Sequence, residues 1–273
     1  MSGLPPFSHA VVTGGGRGIG RAMALGLAEA GARVIVSAAR EREEIEDVAN
    51  EAGRRLGERR IVAEVADVTR DDDCARLVAA ALHRFGRLDI LVNNAGRGMK
   101  YVSDTFLAEP TRFWEVAPAT WRMVIDTNAV GPFLMARAAA PHMIAARWGR
   151  IVNISMNHET MRRRGFSPYG PSKAALESET IIWAQDLAGT GVTVNALLPG
   201  GATLTGMIPD SVAPELRAKF LDPAIMAAPL LWLASGRSDG VTGRRFVAAR
   251  WRADLPEPEA ALAAADEAGW TVG

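Results

Sequence analysis

The sequence predicts a single α/β domain in which helices cover both faces of a doubly wound parallel sheet. Short runs rich in Val, Ile and Leu alternate with longer segments rich in Ala, Leu, Glu and Arg, and this alternation continues over residues 9–198 without a linker. Continuous apolar runs of this kind are typical of strands buried on both faces. Strands that alternate with helices favour parallel pairing through right-handed crossovers.

The elements follow one another in a regular order. The predicted strands are 9–13, 32–37, 60–65, 88–93, 150–155 and 192–198. The helix-length segments are 18–30, 41–56, 71–85, 120–146 and 168–188. Beyond them we predict an irregular loop with short helical pieces, then a helix, then a last strand, over 199–222, 222–235 and 244–249.

The domain is predicted to span residues 1–249 and to include the loop at about 199–222. Residues 250–273 are rich in Pro and Ala and are too few to form a domain of their own. We predict that they form a C-terminal tail that either frays or packs across a neighbouring subunit, with Trp251 or Trp270 as its anchor.

Composition excludes several classes of function. Lys plus Arg equals Asp plus Glu at 31 each, so no long-range field would attract nucleic acid or an anionic membrane. The lone Cys74 excludes an internal disulfide, and the N-terminus lacks the features of a signal peptide. No cluster has the spacing of metal ligands. We therefore expect a cytoplasmic protein with a small-molecule partner and no metal.

The first predicted strand runs directly into a glycine-rich turn, "TGGGRGIG", which contains Gly14, Gly18 and Gly20. Glycines at a strand-to-helix junction let a pyrophosphate approach the N–H groups at the start of the helix, where the helix dipole favours anions. The spacing departs from the Gly-x-Gly-x-x-Gly dinucleotide fingerprint. By itself the turn is equally compatible with a purely structural role.

A tyrosine and a lysine lie four residues apart in "YGPSK". The chain has only two tyrosines and three lysines, and Tyr169 and Lys173 would share one face of a helix. A free phenol is a poor base at neutral pH, but a nearby ammonium favours the phenolate. The pair therefore suits general acid/base catalysis.

Five motifs together resemble the short-chain dehydrogenases/reductases of the Tyr-x-x-x-Lys type. They are "TGGGRGIG", "NNAG" (93–96), Ser155, "YGPSK" (169–173) and "PGG" (199–201), and they fall at strand ends in the family's order over residues 9–249. The resemblance implies a Rossmann fold and an NAD(P)-dependent oxidoreductase that interconverts a ketone and a secondary alcohol by hydride transfer. A dinucleotide-binding sensor or scaffold without catalysis is the alternative, because a fold does not guarantee chemistry.

The resemblance also implies roles for individual residues. Tyr169 would be the acid/base, Ser155 would hydrogen-bond the substrate oxygen, Lys173 would hold the nicotinamide ribose and Asn128 would support a proton-relaying water. Taken singly, Ser155 suits a strand end and Asn128 a helix surface, but with the other motifs we interpret both as catalytic. The predicted cofactor-binding residues are Gly14, Arg17, Gly18, Ile19, Gly20, Ser37, Arg40, Asp67, Val68, Asn94, Ala95, Gly96, Tyr169, Lys173, Pro199, Gly200 and Thr203. Asn94 could instead be architectural, and Asp67 could instead cap a helix.

The end of the second strand favours NADP(H) over NAD(H). An NAD-preferring enzyme carries an acid there for the ribose hydroxyls, whereas this chain has Ala38. Arg17 and Arg40 could bind a 2′-phosphate bidentately and Ser37 could add a donor. The two arginines could also be plain solvated charges, and the next acid, Glu41, lies past the strand end.

The stretch between Gly96 and Asn128 is predicted to wall an apolar substrate pocket. The predicted wall residues are Met99, Tyr101, Phe106, Phe113, Trp114, Met156, Phe166, Leu204, Met207 and Ile208. We therefore expect a carbonyl or alcohol substrate with an apolar body. His158 and Glu159 could contact a polar substituent or lie in a solvated loop, and the basic run 161–165 could attract an acidic substrate or only face solvent.

The resemblance further implies a homodimer or homotetramer built on the helices around 120–146 and 168–188.

Overall fold

The computed structural model describes Leu4 and residues 8–269. Its centre is one sheet of eight strands in the order β3-β2-β1-β4-β5-β6-β7-β8. The strands are β1 (His9–Thr13), β2 (Arg33–Ala38), β3 (Ile61–Val65), β4 (Ile90–Asn93), β5 (Gly149–Ile154), β6 (Val192–Leu198), β7 (Arg244–Val247) and β8 (Ala265–Glu267). The first seven are parallel, and β8 pairs antiparallel with β7. The predicted doubly wound fold is confirmed.

Ten α-helices in the described residues connect and flank these strands. They are α1 (Gly18–Glu29), α2 (Arg42–Leu56), α3 (Asp71–Phe85), α4 (Pro118–Ile125), α5 (Gly131–Ala145), α6 (His158–Met161), α7 (Tyr169–Asp186), α8 (Pro214–Arg217), α9 (Ala227–Leu233) and α10 (Glu257–Ala264). None of the helices in this part of the chain is long and apolar enough to cross a bilayer.

Side chains that alternate along the strands build a hydrophobic layer on each face of the sheet. In β1, Val12 faces the layer that includes side chains of α1, α2 and α9, whereas Val11 faces the layer that includes side chains of α3 and α5. Both valines are fully buried. A strand buried on both faces has to be apolar at every position, which is why these strands appear in the sequence as uninterrupted runs.

Two predicted helices have different bounds in the structure. The segment predicted as one helix over 120–146 is interrupted by a π-helical turn at Asp126–Val130, between α4 and α5. π-turns of this kind accommodate one extra residue per turn and occur frequently at functional sites. The segment 222–235 forms a 3₁₀ turn at Pro223–Met226 followed by the short α9. The loop over 199–222 is largely irregular, as predicted, and carries α8.

The chain after residue 249 folds back onto its own sheet. Helix α10 is followed by β8, which adds to the free edge of β7 in the register Arg245↔Asp266. Trp251 packs near Trp232, with ring centroids 6.2 Å apart, and Arg250 forms an ion pair with Asp266. The expected frayed tail is therefore wrong for residues 250–269, and packing of this segment across a neighbouring subunit stays a prediction. Trp270, the other expected anchor, lies outside the described residues.

Candidate active site

A cavity of about 430 Å³ opens at the carboxyl ends of the strands, where the strand order reverses between β1 and β4. Open parallel sheets bind ligands at such a switch point, because the loops after the two strands turn to opposite faces and leave a crevice. Most of the predicted site residues line this cavity: Gly14, Arg17, Gly18, Ile19, Gly20, Ser37, Asp67, Val68, Asn94, Ala95, Gly96, Ser155, Tyr169, Lys173, Pro199, Gly200 and Thr203. Arg40 and Asn128 are not part of its wall.

The glycine turn after β1 leaves no room for side chains. Gly14 and Gly18 have positive φ values of 63° and 53°, and a Cβ on Gly20 would lie 2.2 Å from the carbonyl oxygen of Gly14. Asn94 Nδ2 donates to the carbonyl oxygens of Thr13 (2.8 Å) and Gly14 (2.9 Å) and so ties β4 to the turn. Asn94 is thus architectural as well as part of the cavity wall.

This end of the cavity fits a dinucleotide. The bare backbone of the turn leads into the N-terminus of α1, where unpaired N–H groups and the helix dipole favour a pyrophosphate. Beside it, Ser37 Oγ is buried and has no hydrogen-bond partner among the described residues. Buried hydroxyls are normally paired, so a ligand hydroxyl or phosphate oxygen would complete the arrangement. Asp67 accepts from Thr69 N and Oγ1 (3.0 and 2.8 Å), so it stabilises the turn before α3 while it lines the cavity.

The same cavity is also lined by Ser155, Tyr169 and Lys173. Ser155 follows β5, Tyr169 is the first residue of α7, and Lys173 lies one helical turn later. Lys173 is 4% exposed, and its Nζ donates to the carbonyl oxygen of Ile154 at 2.6 Å. Ser155 Oγ donates to Glu177 Oε1 at 2.7 Å. The three groups therefore lie on two neighbouring elements, β5 and α7, and share one cavity.

The pKa values of the pair differ from the sequence-based expectation. Removal from water raises the pKa of Tyr169 to about 12, whereas an adjacent ammonium alone would lower it. Burial also lowers the pKa of Lys173 to about 8, partly opposed by the negative charge of Glu177. Tyr169 is therefore protonated across the neutral range and can act as a proton donor, and Lys173 carries its charge below pH 8.

Asn128 lies in the π-helical turn behind the cavity. Its Oδ1 accepts from Arg97 N (2.8 Å), and its Nδ2 donates to Arg97 O (2.9 Å) and to Ser172 Oγ (2.9 Å). The side chain therefore connects the loop after β4 to the first turn of α7. This places Asn128 next to the helix that carries Tyr169 and Lys173, with its amide engaged in holding the loop and the helix together.

The end of the cavity beside Ser37 contains two acids, of which the sequence motifs pointed to Glu41 but not to Glu44. Glu41 and Glu44 line the cavity together with Ser37 and Ala38. Arg17 also lines it, but its Nη1 forms an ion pair with Glu44 Oε1 at 3.1 Å. Arg40 is exposed and outside the wall. Helix α2 begins directly after β2, which brings its first turn over the crevice in a way the strand end alone did not show.

The opposite end of the cavity is apolar. Predicted wall residues that line it are Met99, Tyr101, Phe106, Met156, Phe166, Met207 and Ile208, and Leu107 joins them. Phe106 and Phe166 make an edge contact with ring centroids 5.9 Å apart. Three predicted wall residues, Phe113, Trp114 and Leu204, are wrong because none of them lines the cavity. The first two are 69% and 66% exposed and make an edge contact with each other.

The partners of Ser155 were not indicated by the sequence motifs. Glu177 is buried and accepts from Ser155, while His158 and Arg245 donate to the same carboxylate. His158 therefore faces the protein interior rather than a substrate substituent. Glu177 lies one helical turn after Lys173, so the same four-residue spacing that links Tyr169 to Lys173 could have indicated it.

Replacing Lys173 by Met tests the buried ammonium. With a pKa lowered from 10.5 to about 8, the folded chain binds fewer protons than the unfolded chain between these values, so stability rises with pH there. We expect the free energy of unfolding of the wild type to gain about 3 kcal/mol relative to Lys173→Met between pH 7 and 10.5. Urea unfolding at both pH values measures this, and a pH-independent difference would contradict it.

Comparison with known proteins agrees with this geometry. The short chain dehydrogenase family model matches residues 8–215. A 3-oxoacyl-[acyl-carrier-protein] reductase of Synechocystis sp. is 33% identical, covering 87% of this chain and 93% of the relative. The structure resembles a putative NAD(P)-dependent gluconate 5-dehydrogenase of Beutenbergia cavernae with bound NADP (TM-score 0.78, 31% identity, 91% and 97% of the two chains). It also resembles a 3-ketoacyl-(acyl-carrier-protein) reductase of Brucella melitensis complexed with NADH (TM-score 0.76, 29% identity, 87% and 94%). The chain therefore belongs to the short-chain dehydrogenase family and is an NAD(P)-dependent oxidoreductase acting on a CH–OH/C=O pair.

Proposed function

We propose that this chain interconverts a ketone and a secondary alcohol with NADP(H), using Tyr169 as the acid/base. The observation that carries the proposal is that Ser155, Tyr169 and Lys173 line one cavity together with the glycine turn. A nicotinamide cofactor, when bound, supplies or accepts the hydride. The chain contributes proton transfer, charge and an enclosed apolar space.

The chain's own groups account for the proton chemistry. Tyr169 is protonated at neutral pH because its pKa is raised to about 12, so its O–H can donate to a carbonyl oxygen that gains negative charge. The ammonium of Lys173 on the same helix face stabilises the resulting phenolate. In the oxidative direction Tyr169 has to lose its proton first, so we expect oxidation to accelerate with rising pH.

The alternative is a sensor or scaffold that binds a dinucleotide without turnover. Such a protein needs the glycine turn but not the phenol, the ammonium or the serine hydroxyl. Here a buried ammonium is retained although removing it from water lowers the pKa of Lys173 to about 8. Burial of the Lys173 ammonium is unfavourable, and a protein that only binds a dinucleotide has no need of it. Its presence therefore supports an enzyme over a sensor or scaffold.

Tyr169→Phe provides the test of catalysis. Because the phenol is the proposed proton donor, kcat should fall by about 10²- to 10⁴-fold, while the dissociation constant of the cofactor should stay within about twofold. Initial rates over a ketone panel and fluorescence titration with the cofactor measure these values. Tyr101→Phe is the matched control, because it removes the other phenol and should cost far less activity. Near-normal turnover of Tyr169→Phe would overturn the mechanism.

The preference for NADP(H) is supported by the groups around the end of β2. Ala38 places no carboxylate at the end of the strand, Ser37 Oγ is buried and available for a ligand, and Arg17 lines the cavity beside them. Glu44 opposes this preference, because it pairs with Arg17 at 3.1 Å. Both side chains are partly exposed, so the pair contributes little to stability and Arg17 can exchange Glu44 for a phosphate.

Glu44→Gln tests this reading of the cofactor site. Without the carboxylate, Arg17 keeps its charge but loses its competitor, so KM for NADPH should fall about three- to tenfold while KM for NADH stays unchanged. Glu46→Gln is the control, since Glu46 pairs with Arg42 on the same helix.

Ala38→Asp should shift the preference toward NAD(H). A wild-type enzyme with higher kcat/KM for NADH than for NADPH would show that the assignment is wrong.

The apolar end of the cavity supports a substrate with an apolar body. Met99, Phe106, Met156, Met161 and Phe166 form a small hydrophobic cluster against which Tyr169 packs. A ketone held there would place its carbonyl oxygen near the phenol and its remaining carbon atoms against methionine and phenylalanine side chains. Methionines adapt to ligands of different shape, which suits more than one apolar substrate.

We further propose that the chain forms a homodimer or homotetramer through α5 and α7. Phe133 on α5 and Ile182 on α7 are 44% and 51% exposed, although each belongs to a helix that packs on the sheet. Large apolar side chains on such faces are typical of subunit interfaces. Light scattering should give a mass of two or four chains, and a monomer at assay concentration would contradict the proposal.

A further inference from the structure

The carboxylate of Glu177 is surrounded by hydrogen-bond donors. It is 1% exposed and lies on α7, one turn after Lys173. Oε1 accepts from Ser155 Oγ (2.7 Å) and Arg245 Nε (3.1 Å), and Oε2 accepts from His158 Nε2 (2.8 Å) and from the backbone N–H of Gly269 (3.1 Å). Both oxygens therefore accept twice, which is the pattern of an ionised carboxylate that acts only as an acceptor.

The charges around Glu177 explain how it is held in the interior. Arg245, on β7, is 4% exposed and also donates to the carbonyl oxygen of Met156 at 2.8 Å. Its Nη1 lies 3.5 Å from His158 Nδ1 and 3.9 Å from Asp266. A histidine that donates from Nε2 and faces a guanidinium with Nδ1 fits the neutral tautomer. One buried arginine thus balances one buried glutamate, as buried ions require.

This arrangement determines which way the Ser155 hydroxyl points. A serine has one proton to donate and two lone pairs with which to accept. In this structure the proton is directed to Glu177, because no other orientation would satisfy the carboxylate at 2.7 Å. The lone pairs of Ser155 Oγ are then the part of the hydroxyl that remains for the cavity it lines.

We propose that Glu177 is a positioning residue that holds Ser155 as a hydrogen-bond acceptor toward the substrate oxygen, so that the site binds the alcohol in preference to the ketone. The inference rests on the proposed function. An alcohol can donate its O–H to Ser155 Oγ while it accepts from the phenol of Tyr169. A ketone oxygen can accept from Tyr169 but faces a lone pair of Ser155.

The C-terminal segment belongs to the same arrangement. The N–H of Gly269 is one of the four donors to Glu177, and Asp266 of β8 lies beside Arg245. The residues just after β8 therefore contact, through Gly269, the same carboxylate that accepts the hydrogen bond of Ser155. This gives the segment after residue 249 a role in the site as well as in the sheet.

The test compares binding of an alcohol and a ketone in complexes that cannot react. The probes are 4-phenyl-2-butanol with NADPH and 4-phenyl-2-butanone with NADP⁺, measured by calorimetry at pH 8. The wild type should bind the alcohol more tightly. Glu177→Gln should reduce the ratio of the two affinities about fivefold, the size of one hydrogen bond, because the amide cannot accept from four donors. Glu179→Gln, the same change two residues away, should leave the ratio unchanged.

Ser155→Ala tests separately whether Glu177 acts through the Ser155 hydroxyl. It should lower the ratio as much as Glu177→Gln does, and Glu177→Gln should add nothing in its background, because both act through one hydroxyl. If Glu177→Gln does not fold, Ser155→Ala alone has to weaken the alcohol more than the ketone. Equal weakening of both probes by Ser155→Ala, or additive effects of the two changes, would overturn the inference.

The hydrogen bond from Gly269 N–H to Glu177 can be tested without a substrate. Hydrogen exchange followed by mass spectrometry should show faster exchange of the peptide 257–269 in Glu177→Gln than in the wild type or in Glu179→Gln. Equal protection would contradict the proposed link between this segment and Glu177. Absence of turnover by the wild type over the whole ketone and alcohol panel would instead contradict the proposed function, and the two failures are therefore distinguishable.

Discussion

The parallel direction of seven strands is the constraint on which the rest of this structure depends. Parallel strands end at the same edge of a sheet, so the groups that follow them are brought together without further folding. The glycine turn follows β1, Asn94 follows β4, Ser155 follows β5 and Pro199 follows β6. The reversal of strand order between β1 and β4 then opens the crevice in which these loops meet.

Helix α7 supplies the charged side of the same cavity at a considerable cost. Tyr169, Lys173 and Glu177 follow one another at successive turns of one helix face, and the last two are buried. Burying an ammonium and a carboxylate is unfavourable unless each finds partners. The carbonyl oxygen of Ile154 accepts a hydrogen bond from the ammonium of Lys173. The guanidinium of Arg245, on β7, forms an ion pair with the carboxylate of Glu177. Helix α7 and the C-terminal segment are thereby joined through charge as well as through packing.

The sequence predicted the fold and most of the cavity wall, but it did not predict side-chain direction. Phe113 and Trp114 were assigned to the pocket from their position in the chain, yet they lie exposed at the surface with their rings in edge contact. Arg17 was assigned a phosphate, yet it meets Glu44, which is 27 residues away in sequence. A motif states which residues lie near a strand end, whereas the direction of each side chain follows from neighbours that are distant in sequence.

What the sequence alone determined is the order of strands and helices, the glycine turn and the Tyr169–Lys173 pair, because apolar runs, glycines and helical spacing are local properties. Only the tertiary structure decided that the segment after residue 249 closes the edge of the sheet and that Glu177 accepts the hydrogen bond of the Ser155 hydroxyl. The contact of Glu177 with Ser155 joins residues 22 positions apart, and its contact with Gly269 joins residues 92 positions apart. Their formation depends on which surfaces remain uncovered once the sheet has assembled, whereas the local four-residue spacing shows only that Glu177 shares a helix face with Lys173.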